Sequence, residues 1–268
     1  MIPRSLLFVP GNRPERFEKA CASGADLVCI DLEDAVAPDD KKMAREAVVK
    51  FLSETEYKHV FPRINPPGTP ECEADQAALA GIALPHVMVP KVDTLAELES
   101  LTIDAPLMPV LESALAILNA REILSSDGVS TALFGGGDYT ADMGIPMTFE
   151  AMQHARSHLA ICGVAFGVHI FDVPYVDVHD VEGAERDTRR VAALGLRARA
   201  ALHPKQIAAL HRALDPTEDE IAEAREIVAA YKASGGNAAL HKGKLIEAPM
   251  LKSAQSILAR TGEAEGIV

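Results

Sequence analysis

Short apolar runs recur along the chain, each followed by a polar stretch of helical character. The runs fall at 5–10, 25–32, 59–64, 86–89, 107–111, 129–134, 164–171 and 199–202. Between them, amphipathic spacing and capping residues predict helices at 14–22, 41–52, 73–80, 95–101, 113–124, 148–161, 181–194 and 205–213. The strand-like runs are continuous rather than alternating, so both faces of each strand are covered. Strand and helix alternate, which is the pattern of a parallel sheet packed against helices. Eight such units predict an α/β fold, a (β/α)₈ TIM barrel, rather than an open doubly wound sheet. The first turn, Pro10-Gly11-Asn12-Arg13, also lacks the Gly-x-Gly-x-x-Gly of a dinucleotide site.

The chain continues past the eighth unit. Thr217 is a fair N-cap for a further helix to Ala233, Ser234-Gly235-Gly236-Asn237 is a hinge, and a last helix is predicted at 250–260. The expected organisation is a barrel with one added helix over 1–233 and a C-terminal helical extension over 234–268. Barrel closure does not need that extension, which suits a lid or a segment reaching a neighbouring subunit.

Composition narrows the function classes. The 268 residues carry 26 Lys and Arg against 39 Asp and Glu, a net charge of −13. That excess argues against a nucleic-acid or anionic-membrane surface. No apolar run approaches the roughly 20 residues that span a bilayer, and Met1-Ile2-Pro3-Arg4 leads into a strand rather than a signal peptide. Cys21, Cys29, Cys72 and Cys162 form no Cys-x-x-Cys pair and read as reduced thiols of a cytoplasmic protein.

Barrel sites are built at the carboxyl ends of the strands. Those ends carry Arg13, Glu33 and Asp34, Arg63 and Asn65, Lys91, Glu112, Asp138, Asp172 and His203. Glu112 follows one strand, and Asp138 follows another across Gly135-Gly136-Gly137; two such carboxylates suggest one Mg²⁺ site. The plainer alternative is that Asp138 caps a turn and Glu112 begins a solvated helix. Arg63 lies inside the apolar Val60-Phe61-Pro62-Arg63-Ile64, where a guanidinium can grip a substrate carboxylate or pair internally with Glu33 or Asp34. His154 and His158 have metal-pair spacing, but no Glu follows His154, so a solvated helix face is the better reading.

Taken in order, several segments resemble the citrate lyase β-subunit-like family, which includes malyl-CoA and citramalyl-CoA lyases. They are Arg4-Ser5-Leu6-Leu7-Phe8-Val9-Pro10-Gly11, Asp31-Leu32-Glu33-Asp34-Ala35-Val36, Arg63-Ile64-Asn65, Pro90-Lys91-Val92, Glu112-Ser113, Phe134-Gly135 with Asp138, Leu202-His203-Pro204-Lys205-Gln206-Ile207 and Gly243-Lys244-Leu245-Ile246-Glu247-Ala248-Pro249. The resemblance implies a homotrimer or homohexamer that binds Mg²⁺ and a CoA thioester. It places the metal on Glu112 and Asp138, the substrate carboxylate on Arg63, and orienting groups at Glu33 and Asp34. It places the coenzyme near Arg13, Arg16, Lys19 and His203. It also places an acid–base carboxylate at Glu247, delivered from an adjacent subunit, where the lyases typically carry Asp. The implied activity splits a 3-hydroxy-dicarboxyl-CoA thioester of citramalyl, malyl or citryl type into acetyl-CoA and a 2-oxo acid. Alternatives are a malyl-CoA thioesterase, a citrate lyase β subunit acting on a carrier-protein thioester, and a non-catalytic CoA- or oxo-acid-binding protein.

Overall fold

Eight parallel strands close into a barrel in the computed structural model, which describes residues 2–261. They are β1 Ser5–Pro10, β2 Leu27–Asp31, β3 Val60–Arg63, β4 Val87–Val89, β5 Leu107–Leu111, β6 Thr131–Phe134, β7 His169–Asp172 and β8 Ala198–Ala201. Neighbours in sequence are neighbours in the sheet, and β1 closes onto β8 through Ser5↔Arg199, Leu6↔Ala200 and Leu7↔Ala201.

Both faces of the strands are buried, which is why the runs read as continuously apolar. One set, including Leu6, Leu27, Cys29, Phe61, Met88, Met108, Val110, Leu133 and Phe171, fills the barrel interior. The alternate set, including Leu7, Val28, Ile30, Val60, Val87, Leu111 and Ile170, packs outward under the helices. The same period of two decides which polar residues look inward. Asp31 lies two residues past Cys29, Arg63 two past Phe61 and Glu112 two past Val110. All three therefore fall on the inner face at the carboxyl end.

Three elements differ from the sequence expectation. The apolar 164–171 divides: a helix runs over Phe149–Phe166, ends on Gly167 in the left-handed region (φ 70), and only His169–Asp172 is strand. Val164 is exposed on that helix, and a short apolar run alone does not distinguish a strand from the end of a helix. The expected helix 113–124 is two, Ala114–Leu118 and Ala120–Leu124, broken at Asn119, whose side chain donates instead to Asp93 O. The glycine run begins a helix, Gly136–Met143, rather than a loop. Glycine is a poor helix former, but a Cβ at Gly136 would stand 2.8 Å from Met152 Sδ and 3.0 Å from Val173 Cγ1. Tertiary packing thus overrides local propensity there.

Pro3–Leu214 forms one compact unit, and residues 215–261 belong to a second. In the second, the helix Glu218–Ala233 starts on a capping box in which Thr217 and Glu220 satisfy each other's backbone N–H groups. It packs on the helix Ala248–Arg260. Between them lies an antiparallel hairpin, β9 Ala239–His241 and β10 Lys244–Ile246, which the sequence did not announce because each strand has three residues. Among the described residues no helix is long and apolar enough to cross a membrane, and all four cysteines are free and buried.

Candidate active site

A cavity of about 490 Å³ opens within the barrel unit at the carboxyl ends of the strands. Asp31, Asp34, Arg63, Glu112 and Asp138 line it together with an apolar wall that includes Phe8, Val110, Leu133, Val176 and Leu202. A site with a few charged groups set in apolar walls binds small polar molecules in a fixed orientation.

Arg63 ends β3 and is almost wholly enclosed. Its Nε and Nη2 donate to Asp31 Oδ1 at 2.7 Å and Oδ2 at 2.5 Å, while Nη1 lies 3.0 Å from Glu33 Oε2. The guanidinium also sits over the Phe8 ring, 5.2 Å from its centroid. The internal partner is therefore chiefly Asp31, in register with Arg63 across β2 and β3, with Glu33 second. Burial alone would lower the Arg63 pKa, but the hydrogen bonds and charge of Asp31, with the charge of Glu33, raise it, so the cation is permanent. Glu33 Oε2 is buried and makes no hydrogen bond. Burial raises the Glu33 carboxyl above its usual range. The loop carrying it is pinned by Lys41, whose ammonium donates to Leu32 O, Glu33 O and Asn65 Oδ1, each at 2.7 Å.

Glu112 is buried just past β5. Its Oε1 accepts from the backbone N–H of Lys91 at 2.7 Å. Its other side abuts Gly135, where a Cβ would stand 2.4 Å from Glu112 Cβ and 2.5 Å from Oε2. Only glycine leaves room for this carboxylate. Burial, the nearby Asp138 and Glu33 carboxylates outweigh the Lys91 hydrogen bond and push the Glu112 carboxyl up to about 7. Asp138 sits in the first turn of Gly136–Met143, where the helix N-terminus favours an anion. It is exposed, in contrast to Glu112.

The far wall rests on a buried ionic frame. Arg156 donates Nε and Nη2 to the two Asp172 oxygens at 2.9 Å each. Arg199 pairs with Asp187 at 2.8 Å and donates Nε to Val173 O at 3.0 Å, fixing the start of the loop that bears Val176. Gln206 joins that loop to the next by donating to Tyr175 O and accepting from the N–H groups of Leu202 and His203.

The structure thus brings Glu33, Asp34, Arg63, Glu112 and Asp138 together. Asp34 is exposed, with Lys91 Nζ at 3.9 Å. Arg13 and His203 sit in loops leaving the adjacent strands β1 and β8; they do not line the cavity, and neither do Arg16 and Lys19. Arg13, Arg16 and Lys19 are exposed. Glu247 belongs to the second unit, as the exposed N-cap residue of Ala248–Arg260, and its side chain makes no capping hydrogen bond. Sequence reasoning missed Asp31 as the partner of Arg63, although its parity with Cys29 was available as a signal. It noted Lys91 as a strand-end cation but gave it no role; its left-handed backbone (φ 55) has no signature in a lysine.

Comparison with known proteins bears on this geometry. The sequence profile described as HpcH/HpaI aldolase/citrate lyase matches residues 4–204. A citrate lyase subunit beta-like protein of Mycobacterium tuberculosis is 35% identical over 265 residues, covering 96% of this chain and 95% of its own. An L-malyl-CoA/beta-methylmalyl-CoA lyase of Cereibacter sphaeroides is 33% identical over 296 residues, covering 95% and 93%. The crystal structure of CitE from Mycobacterium tuberculosis in complex with magnesium, acetoacetate and coenzyme A superposes with a TM-score of 0.89 at 33% identity. That match covers 97% of this chain and 98% of the other.

Proposed function

The chain belongs to the HpcH/HpaI aldolase/citrate lyase family, and from that premise we propose that it is a Mg²⁺-dependent carbon–carbon lyase. Its substrate is a 3-hydroxy-dicarboxyl-CoA thioester of the citramalyl, malyl or citryl type, and its products are acetyl-CoA and a 2-oxo acid. The same site serves the reverse condensation. The observation that carries the reading is the facing of two carboxylates, Glu112 and Asp138, and one arginine, Arg63, onto a single apolar-walled cavity. The malyl-CoA lyase relative and the magnesium, acetoacetate and coenzyme A bound by the related CitE support it.

The residues fit a hard divalent cation. Mg²⁺ takes oxygen ligands and retains several waters, so one or two carboxylates suffice. Glu112 is such a ligand: its raised pKa marks a site short of positive charge, and its Oε1 is already oriented by Lys91. Asp138 is the second. Glu33 Oε2, buried beside Arg63 Nη1, adds an unsatisfied acceptor and further negative charge next to the site. When bound, the cation supplies Lewis-acid polarisation of the oxo-acid carbonyl and charge neutralisation.

The chain's own groups carry the remaining steps. Asp31 occupies the Nε–Nη2 edge of Arg63 and Glu33 approaches Nη1, which leaves two of the five guanidinium N–H groups for a substrate carboxylate. Asp34 and Glu33 orient that end of the substrate. A general base takes the proton of the 3-hydroxyl, the bond between C2 and C3 breaks, and its electron pair passes to the thioester enolate. Protonation at C2 then gives acetyl-CoA. We assign the base to Glu247 of an adjacent subunit in a trimer-based cytoplasmic homo-oligomer, an assignment resting on the family resemblance. The coenzyme's nucleotide end lies over the exposed Arg13, the helical segment bearing Arg16 and Lys19, and the loop bearing His203, where the cationic Arg13, Arg16 and Lys19 suit its phosphates.

Metal removal tests the reading. Turnover should cease in excess EDTA and return with Mg²⁺, and Glu112→Gln and Asp138→Asn should each abolish it in a folded protein. Full turnover in excess EDTA would overturn the proposal.

A further inference from the structure

We propose that Lys91 is a positioning residue that ties the cation carboxylate to the substrate arginine. The inference rests on the functional reading above, which takes Glu112 as cation ligand and Arg63 as anchor of the oxo acid. Lys91 follows β4 by two residues, and β4 lies between the strands that present those two groups. Its backbone has φ 55, a left-handed conformation that side-chain-bearing residues seldom adopt. In that conformation the Lys91 N–H reaches Glu112 Oε1 at 2.7 Å. Gly135 borders the other oxygen, so Glu112 is located from both sides. An extended residue 91 would send the chain beyond this N–H in another direction, so the loop, and with it the bond to the carboxylate, would have to shift.

The side chain acts in the other direction. Lys91 Nζ pairs with Glu33 Oε1 at 3.1 Å. The opposite oxygen of Glu33 lies 3.0 Å from Arg63 Nη1 without completing a hydrogen bond. Lys91 therefore holds Glu33 part-way off the guanidinium. Without the ammonium, Arg63 is the cation left beside Glu33, and Glu33 closes onto the N–H groups that Asp31 has not taken. It then competes with the substrate carboxylate for them. The two roles are separable, because the backbone serves the metal and the side chain serves the oxo acid.

The test uses the full-length protein, Mn²⁺ as a spectroscopic probe of the hard-oxygen cation site, and pyruvate titrated into the Mn²⁺-loaded protein. Lys91→Gly keeps the N–H and adopts positive φ freely, so Mn²⁺ affinity should stay within about threefold of the parent. Its pyruvate affinity should fall about fivefold, the scale of one partly exposed ion pair. Lys91→Arg keeps the cation and should restore pyruvate binding. Lys91→Ala resists the left-handed backbone and should bind Mn²⁺ about fivefold more weakly than Lys91→Gly. Lys91→Met, which removes only the charge, repeats the pyruvate arm if the glycine variant melts early. Pyruvate binding unchanged in Lys91→Gly or Lys91→Met, or equal Mn²⁺ affinities of the Gly and Ala variants, overturns the inference and leaves the functional reading standing. Mn²⁺ binding by the parent that survives Glu112→Gln overturns the functional reading, and the inference with it.

Discussion

Gly135 and Glu112 form one unit: the missing side chain at 135 is the space in which the carboxylate stands. Gly135→Ala puts a methyl group 2.4 Å from Glu112 Cβ and 2.9 Å from Val110 Cγ1, with φ of 135 itself unremarkable. Overpacking of this kind costs about 1–3 kcal/mol. The expected result is a lowered melting temperature with Mg²⁺ affinity reduced about tenfold, read by calorimetric titration; unchanged affinity would contradict the contact. Glu112 also sets a pH dependence. Unfolded, it titrates near the ordinary glutamate value of about 4.3; folded and metal-free, it titrates at about 7. Between those values the folded chain retains a proton that the unfolded chain has lost, so this group's contribution to stability declines as pH rises through that window. A bound cation replaces the proton and removes the penalty. Mg²⁺ should therefore raise Tm more at pH 8 than at pH 6, and an equal increment at both would contradict the assignment. At this scale Glu112, Asp138 and Arg63 could be picked out in the sequence because each is a charge at the end of an apolar run. The pairing of Arg63 with Asp31 was less visible, since Asp31 reads as the last residue of a strand rather than as part of the mouth.

Among the elements, β7 and the loop after it depend on charges that no solvent reaches. Asp172 receives both Arg156 bonds and lies 3.6 Å from Arg199, and all three are buried. Asp172→Asn leaves Arg156 without its counter-charge and Arg199 with Asp187 alone, at a cost of about 3–5 kcal/mol. Urea unfolding should show a lower midpoint with little change in slope, the unfolding free energy falling by that amount, and a loss below about 1 kcal/mol would show that the frame is dispensable. Because Arg199 also holds Val173 O, the variant should weaken substrate binding through the loop bearing Val176. The sequence revealed the eight strands well because two-sided burial makes each a dense apolar run. It revealed helix ends poorly. Val164 and Phe166 look like the start of a strand, yet they stand on the final turn of a helix that stops only at Gly167. The helix that presents Asp138 was hidden by its own glycines, of which Gly136 leaves room for Met152 and Val173.

For the whole molecule, the barrel was legible from the count and rhythm of its units, whereas the function of the second unit was not. Neither the hairpin β9–β10 nor the helix Ala248–Arg260 has a periodicity that names its purpose. The proposal that Glu247 serves an adjacent subunit makes a definite prediction. Glu112→Gln and Glu247→Ala should each be inactive alone and recover part of the parental activity when mixed under subunit exchange. Mixed oligomers that form and stay inactive would place the base elsewhere. The central claim is the cleavage reaction itself, and a product-resolved assay tests it most directly. With Mg²⁺ present, citramalyl-CoA, malyl-CoA and citryl-CoA are supplied separately and every acyl-CoA and acid formed is identified. The account predicts acetyl-CoA and the matching 2-oxo acid in equal amounts from at least one of the three. Free CoA with the intact hydroxy acid, or no turnover of any of them, would contradict it.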